Sequence, residues 1–275
     1  MRSERPQVRL LSTPTGASTL TAPEPGFAWS AGPIDAYTTG DDTTLRLRPR
    51  GGSLLVSHGR LRRGEGYAET PRADRQFLAR VGAIVRLRAH ARFHVHAAGA
   101  VDPRGRGWLL AGDNGAGKST LAFALTRNGW RLLGDDAVII ERTASGLVAH
   151  AWREPLAVSR ALSAEFPELA GLEAPEGFAD ARDRVPVRAA IAQRAPLAAV
   201  VFLERGERDA LTEVGPAEAL ARLVKGSTWV LMPDGHAAEH LATLRALVER
   251  ARLFRLVHTP RQLRAIAVTL GGALA

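Results

Sequence analysis

Hydrophobic and polar residues follow different patterns before and after residue 93. Residues 1–70 contain short alternating runs, at 7–11, 44–48 and 53–56, separated by Pro, Gly and Asp. This pattern predicts a small β-rich N-terminal region. Residues 72–92 then place apolar side chains at close to helical spacing, which predicts a connecting helix across the segment 71–92. The apolar positions of that helix are Phe77, Leu78, Val81, Ile84, Val85 and Leu87.

From residue 93 onward, predicted strands and helices alternate, which indicates an α/β domain over residues 93–275. The apolar run at 197–203 has the character of a central strand. The Pro-, Gly- and acid-rich stretch at 165–185 predicts a surface loop or lid, with a plain linker as the alternative. The predicted strands are 93–101, 108–111, 131–133, 137–140, 147–152, 197–203 and 253–257, and the predicted helices are 121–125, 216–224, 237–252 and 260–270.

A glycine-rich motif lies between the predicted strand 108–111 and the helix that follows it. Residues 112–120 read GDNGAGKST and fit the phosphate-loop pattern G-x-x-x-x-G-K-[ST]. Glycines let backbone N–H groups surround the oxygens of a nucleoside polyphosphate, and the helix points its positive end at the anion. Lys118 is expected to reach the β- and γ-phosphates, and the Ser119 hydroxyl to hold Mg²⁺. The predicted nucleotide-binding residues are Gly112, Asp113, Asn114, Gly115, Ala116, Gly117, Lys118, Ser119 and Thr120.

Two adjacent carboxylates, Asp135 and Asp136, follow the next apolar run. Carboxylates at a strand end beside a phosphate loop serve Mg²⁺ or proton transfer. One acid is therefore expected on the metal and the other on an acceptor hydroxyl, and the residues alone leave open which acid takes which role. The alternative interpretation is a polar turn between two strands.

Two histidines, His94 and His96, lie at i and i+2 in the predicted strand 93–101, where they share one face. A metal pair would need a third ligand, and none is evident in the sequence. A histidine on an apolar strand is more often part of the core.

The class of nucleotide enzyme is narrowed by motifs that the sequence lacks. It contains no LSGGQ-like segment of transporter ATPases, no hydrophobic strand that ends in Asp-Glu, and no NKxD motif for guanine. A small-molecule kinase remains open, because Arg182, Arg184 and Arg188 could supply the arginine-rich lid of that class.

Composition limits the partners and the compartment. The 275 residues carry a net charge of +9 and no cysteine, which excludes disulfides, thiolate catalysis and cysteine-ligated metals. The arginines are scattered and no helix-turn-helix pattern is present, so nucleic acid is not an expected partner. No stretch approaches the length of a membrane span, and the N-terminus has no export signal, so a cytoplasmic protein is expected. Lys118 and Lys225 are the only lysines in this arginine-rich chain. A compact ammonium follows a moving phosphoryl group better than a planar guanidinium does, so a lysine within the loop indicates a chemical role.

Three segments together resemble the catalytic core of HPr kinase/phosphorylase. They are His96-Ala97-Ala98-Gly99, the GDNGAGKST loop, and GWRLLGDD at 129–136. The likeness is specific over residues 93–140 and is closer to the shorter HPr-kinase-like paralogues of peptide-modification gene clusters, including lasso-peptide precursor kinases, than to the carbon-catabolite regulator. The resemblance implies the P-loop kinase fold shared with phosphoenolpyruvate carboxykinase, with a small β-rich N-terminal region.

The same resemblance implies an ATP- and Mg²⁺-dependent serine kinase that acts on a protein or peptide, such as a co-encoded precursor peptide. It implies that Lys118 and Ser119 hold phosphate and Mg²⁺, that Asp135 is the general base, that Asp136 assists the metal, and that His96 lies near the transferring phosphoryl group. Thr120 stands where the regulator has Glu. A homo-oligomer is compatible with the resemblance, since the regulators form rings. A small-molecule kinase and an ATP-binding switch or scaffold are the alternatives.

Overall fold

The computed structural model describes residues 28–31, 33–39, 42–48, 52–57, 60–152, 154–173, 184–232, 234–259, 266, 267 and 270. They form two compact units. The first comprises the described residues up to Arg92 together with Trp229–His240, and the second comprises Phe93–Thr228 and the described residues from Leu241 onward. The predicted strand 7–11, residues 174–183 of the predicted lid and most of the predicted helix 260–270 lie outside the described residues.

The first unit is a five-stranded antiparallel sheet with one helix packed on it. The strands pair in chain order. Alternating side chains of the sheet, among them Leu45 and Leu54, are buried against Leu78 and Val81 of the helix, as a half-buried antiparallel sheet requires. The elements are β1 (Ala28–Ala31), β2 (Ile34–Thr39), β3 (Asp42–Leu47), β4 (Ser53–Ser57), β5 (Arg60–Arg63) and α1 (Arg72–Arg88).

A fully buried arginine joins the last turn of α1 to the segment Trp229–His240. Arg88 donates from Nε and Nη2 to the two carboxylate oxygens of Asp234, at 2.5 and 2.7 Å, and from Nη1 to the Trp229 carbonyl at 2.6 Å. Nη1 is also 2.8 Å from Nδ1 of His240, which must accept because a guanidinium only donates. Burial and the Arg88 charge lower the pKa of His240 to about 3, so the ring is neutral.

The second unit is built on a curled nine-stranded sheet. Its main path runs β6-β10-β11-β14-β8-β7-β9, and β16 pairs with both β14 and β15. A separate antiparallel pair is formed by β12 and β13. The strands are β6 (Arg92–Val95), β7 (Ala98–Val101), β8 (Gly107–Ala111), β9 (Arg131–Gly134), β10 (Val138–Thr143), β11 (Gly146–Ala151), β12 (Leu156–Ser159), β13 (Arg184–Val187), β14 (Arg194–Arg205), β15 (Ala210–Glu213) and β16 (Arg252–His258); the helices are α2 (Lys118–Thr126), α3 (Pro216–Gly226) and α4 (Ala237–Arg250).

Three parallel strands of this sheet end at one edge. Both β8 and β16 pair in parallel with β14, whose buried apolar residues make it the predicted central strand. Ala111, Glu204 and His258 therefore lie near the same edge. Ligands of open α/β sheets bind outside the carboxyl ends of parallel strands, so this edge is where a site is expected. The predicted mixed α/β class is confirmed.

The prediction of one strand over residues 93–101 is wrong. The chain forms β6 and β7 instead, with a bend at His96 and Ala97. The two strands have different neighbours, since β6 lies beside β10 whereas β7 pairs with β8 and β9. A continuous apolar run gives no sign of such an exchange of partners, because both halves are equally buried.

Two other predicted segments also differ from the structure. The helix predicted over 72–92 ends at Arg88, and the chain then turns through Ala91, whose φ is 53°. The stretch predicted as a surface loop at 165–185 contains a short 3-10 turn, Pro167–Leu169, that buries Phe166, and β13 begins at Arg184. The predicted division was 1–70, 71–92 and 93–275. In the structure, α1 and Trp229–His240 both belong to the first unit. None of the helices within the described ranges is long and apolar enough to span a membrane.

Candidate active site

The loop between β8 and α2 is shaped by three glycines, Gly112, Gly115 and Gly117, with φ angles of 149°, 81° and 97°. At Gly112 a Cβ would lie 2.6 Å from the carbonyl oxygen of Leu203, so only glycine lets β8 and β14 end side by side here. A Cβ at Gly115 would meet nothing within 4 Å, so this side of the loop is open. The loop therefore presents accessible backbone at the positive end of α2, an arrangement suited to anions.

Lys118 is the first residue of α2, yet its side chain folds back over the loop. Nζ donates to the carbonyl oxygens of Gly112 at 2.9 Å and Asp113 at 3.2 Å. The side chain is buried, so the ammonium is held beside the loop and away from solvent. A cation in this position is available to an anion that binds the loop amides.

Asp135 is buried in the turn between β9 and β10. The turn requires glycine at position 134, because a Cβ there would lie 2.1 Å from the Ala137 carbonyl oxygen. Oδ2 of Asp135 accepts the N–H of Ala157 at 3.2 Å, and the Ser119 hydroxyl is hydrogen bonded to the carboxylate. Burial raises the pKa of Asp135 despite the hydrogen bond from Ser119. Oδ1 is buried and has no hydrogen-bond partner among the described residues.

Arg184, the first residue of β13, reaches both of these side chains. Its Nη2 lies 3.0 Å from the Ser119 hydroxyl oxygen and 2.9 Å from Asp135 Oδ2. From the sequence, this arginine is predicted as part of an arginine-rich lid in the alternative of a small-molecule kinase, and its contacts with Ser119 and Asp135 are not predicted. Its contacts join residues 65 and 49 positions away in the chain, a separation that no local motif reveals.

His96 connects the loop with the second carboxylate. Its Nδ1 lies 3.1 Å from the backbone oxygen of Asp136, and the ring is also hydrogen bonded to the side chain of Asn114. Burial and the charge of Lys118 lower the pKa of His96, which keeps the ring neutral. The predicted shared strand face with His94 is wrong, because β6 ends at Val95 before His96 is reached.

His258 lies under the loop and was not predicted from the sequence. It is the last residue of β16, is 1% exposed, and places Nε2 2.7 Å from the carbonyl oxygen of Ala116. Because a carbonyl only accepts, Nε2 donates its hydrogen and ties the loop to β16. The contact spans 142 residues of sequence, so only the tertiary structure brings the two residues together.

A cavity of about 320 Å³ adjoins the start of the loop. This volume lies at the lower end of the range of small-molecule sites. Lys225 lies at its edge, with Nζ 3.6 Å from Asp113 Oδ1. The apolar lining is Val95, Ala111, Phe202, Leu203 and Leu223, and the remaining lining residues are His96, Gly112, Asp113, Glu204, Arg222, Lys225 and Gly226.

Most of the predicted site residues come together at this edge of the sheet. Lys118 lies over the start of the loop, Ser119 contacts Asp135, and His96 joins Asn114 to Asp136. Thr120 lies in the first turn of α2. The predicted metal pair was Ser119 with Asp136, whereas the carboxylate that contacts the Ser119 hydroxyl belongs to Asp135.

The residues fit a magnesium nucleotide. Ser119 Oγ and Asp135 Oδ2 both contact one cationic nitrogen, which marks a place for positive charge, and the unpartnered Oδ1 of Asp135 adds a buried acceptor. No group of three or more His, Cys, Asp or Glu side chains that could hold a metal occurs in the described part of the chain. Mg²⁺ suits such a sparse site, since it is bound through one or two carboxylates, water and substrate phosphates.

We expect Gly134→Ala to disturb this site more than it disturbs the fold. The added methyl meets a backbone oxygen at 2.1 Å, so the turn that carries Asp135 has to move. A displacement of about 1 Å costs a reaction roughly 10²-fold, which steady-state kinetics of the reaction proposed below will measure. Gly215→Ala is the matched control, because its Cβ meets nothing within 4 Å and it should retain the wild-type rate. Equal rates in the two variants would contradict the expectation.

The sequence matches no family model and no curated protein. Among solved structures, the chain is similar to the Hpr(Ser) kinase/phosphatase from Coxiella burnetii. The two sequences are 13% identical, the match covers 64% of this chain and 92% of that chain, and the TM-score is 0.33. Values this low do not establish a shared mechanism.

Proposed function

We propose that the protein is a phosphotransferase that moves the γ-phosphoryl group of ATP to a hydroxyl group. The observation that carries the proposal is that Lys118 is held on the carbonyl groups of the glycine-rich loop while its neighbour Ser119 is hydrogen bonded to Asp135. The loop would supply backbone amides and a helix N-terminus for the phosphates, and the side chains of Ser119 and Asp135 would supply oxygen ligands for Mg²⁺. When bound, Mg²⁺ neutralises charge on the phosphate oxygens.

The contacts favour roles for Asp135 and Asp136 that are the reverse of those implied by the family resemblance, in which Asp135 is the general base and Asp136 assists the metal. We assign Asp135 to the metal, because its carboxylate contacts Ser119 and a cationic nitrogen. We assign Asp136 to the proton, because its carboxyl interacts with His96, which lines the cavity beside the loop. In the transfer, the acceptor oxygen forms a bond to the γ-phosphorus, the bond to the β-bridging oxygen breaks, ADP leaves, and the hydroxyl proton passes to Asp136.

The proposed acceptor is a serine-type hydroxyl of a protein or peptide. The support for this class is the resemblance of the segments 96–99, 112–120 and 129–136 to HPr-kinase-like enzymes, whose paralogues occur with precursor peptides. The cavity is compatible with this role, since it has room for a serine side chain and its lining includes His96 and the first residues of the loop. We extend the proposal to a cytoplasmic enzyme, with a homo-oligomer as its assembly.

Transfer of labelled phosphate tests the function directly. The full chain is incubated with Mg²⁺, γ-labelled ATP and, in parallel, serine-containing peptides or a metabolite extract. Label in a peptide supports the proposal, and label in a metabolite instead indicates a small-molecule kinase. Saturable ATP binding without transfer to either pool would indicate an ATP-binding switch and defeat the proposal.

The assignment of the two acids predicts different defects. Asp136→Asn should bind Mg²⁺-ATP as the wild type does while transfer falls by about 10²–10⁴-fold, the usual size of a general-base effect. Asp135→Asn should raise the Mg²⁺ concentration required for half-maximal rate. Glu249→Gln removes an exposed carboxylate on α4 and is the control for loss of charge. Wild-type transfer by Asp136→Asn, or unchanged Mg²⁺ dependence in Asp135→Asn, contradicts the assignment.

A further inference from the structure

The guanidinium of Arg184 lies between the two side chains assigned to Mg²⁺. A single nitrogen, Nη2, is 3.0 Å from the Ser119 hydroxyl oxygen and 2.9 Å from Asp135 Oδ2. The arginine side chain is only 11% exposed, so solvent screens these contacts weakly. A positive charge therefore already stands where a divalent cation would meet the same two oxygens.

The backbone of the neighbouring strand holds the arginine in this position. Arg184 pairs with Ser159 in the β12–β13 sheet, and its Nε donates to the carbonyl oxygen of Ala157 at 2.9 Å. The N–H of Ala157 donates to Asp135 Oδ2 at 3.2 Å. Ala157 thus binds both members of the ion pair, one through each of its backbone groups, and fixes their separation.

A guanidinium and a metal ion compete for these oxygens. The guanidinium directs N–H groups at the lone pairs of Ser119 Oγ and Asp135 Oδ2, and Mg²⁺ requires the same lone pairs. Two cations at this separation also repel each other. We infer that Arg184 excludes a free divalent cation from Ser119 and Asp135, so that the metal enters only together with the nucleotide. This inference rests on the proposed function for the role given to the metal.

A bound nucleotide would shift this competition in favour of Mg²⁺, because its phosphates add both metal ligands and negative charge. The described residues alone offer Mg²⁺ few ligands here, whereas phosphate oxygens complete the coordination that it prefers. Phosphate oxygens also accept charge-assisted hydrogen bonds from a guanidinium, so Arg184 gains new acceptors when it gives up Ser119 and Asp135. Arg184 is in this sense a positioning residue that sets the order in which metal and nucleotide bind.

Binding of Mn²⁺ to the full chain without nucleotide tests the inference, with free Mn²⁺ measured by electron paramagnetic resonance. Arg184→Met should bind Mn²⁺ at least about tenfold more tightly than the wild type, because it removes a full charge at hydrogen-bond distance from the ion. Arg188→Met removes an exposed arginine from the same segment and should bind as the wild type does. Equal or weaker Mn²⁺ binding by Arg184→Met overturns the inference.

Two more variants locate the effect and guard against misfolding. In the double variant Arg184→Met/Asp135→Asn the gain in Mn²⁺ affinity should disappear, and a gain that persists would place the ion elsewhere and overturn the inference. If Arg184→Met is unfolded by circular dichroism, Arg184→Lys replaces it, since it breaks the planar fork of donors. Arg184→Lys should bind Mn²⁺ more tightly than the wild type, and equal binding overturns the inference. All titrations omit nucleotide, so loss of phosphoryl transfer in other experiments leaves this comparison intact.

Discussion

Lys118→Met is expected to reduce the proposed ATP-dependent phosphoryl transfer by about 10²–10³-fold or more, because it removes the buried charge to which we assign the stabilisation of the phosphates. The structure supplies the physical reason. The ammonium is buried and held by two loop carbonyls, so its position is set before any ligand arrives. Preorganised charge of this kind stabilises the transition state without reorganisation, and the measurement is kcat/KM for ATP with the acceptor in excess.

Two controls separate this effect from a general loss of charge. Lys118→Arg keeps the charge but replaces a compact ammonium by a planar guanidinium, so it should recover little of the rate. Arg245→Met removes an exposed cation that pairs with Glu249 on α4 and should retain wild-type kinetics. Wild-type kcat/KM in Lys118→Met would remove Lys118 from the reaction.

Arg88→Met is expected to destabilise the protein by about 3–5 kcal/mol, the usual result of removing one member of a buried ion pair. Its guanidinium is 0% exposed and hydrogen bonds both carboxylate oxygens of Asp234 and the Trp229 carbonyl. Without it, a carboxylate that is almost fully buried loses its counter-charge. Chemical denaturation followed by circular dichroism measures the change in the free energy of unfolding.

The double variant Arg88→Met/Asp234→Leu tests whether the loss of stability comes from the unpaired carboxylate of Asp234. Replacement of both charges by apolar groups leaves no unpaired ion, so it should recover a large part of the stability that Arg88→Met loses. Arg245→Met, which breaks an exposed pair, should change the free energy of unfolding by less than about 1 kcal/mol. A loss of the same small size in Arg88→Met would show that the buried cluster contributes little.

The sequence predicts those parts of the site whose chemistry is local. The loop can be identified from the sequence because its glycines, Lys118 and Ser119 lie within one short motif. Asp135 and Asp136 can be identified because they follow directly on an apolar run. The contacts of Arg184 and His258 cannot be predicted from the sequence, since each residue reaches the loop region from a strand that is distant along the chain. Nothing in the neighbourhood of Arg184 separates it from the other arginines of a chain with 37 Lys and Arg residues.

The elements of the fold that were predicted are those whose residues carry a strong local pattern. Long apolar runs and amphipathic helices identify β8, β14, β16 and α3. The strands β12 and β15 are short, and β15 is exposed along its length, so their patterns carry no periodic signal. The bend at His96 was missed because burial continues through it on both sides.

Calorimetric titration of the full chain with Mg²⁺ and a non-hydrolysable ATP analogue tests the central claim most directly. The claim is that the loop at 112–119 binds the triphosphate beside Asp135. We expect saturable binding at one site in the wild type, and binding weakened by at least about tenfold in Lys118→Met, since one ion pair to phosphate is lost. Absence of binding in the wild type, or equal affinity in Lys118→Met, would contradict the account.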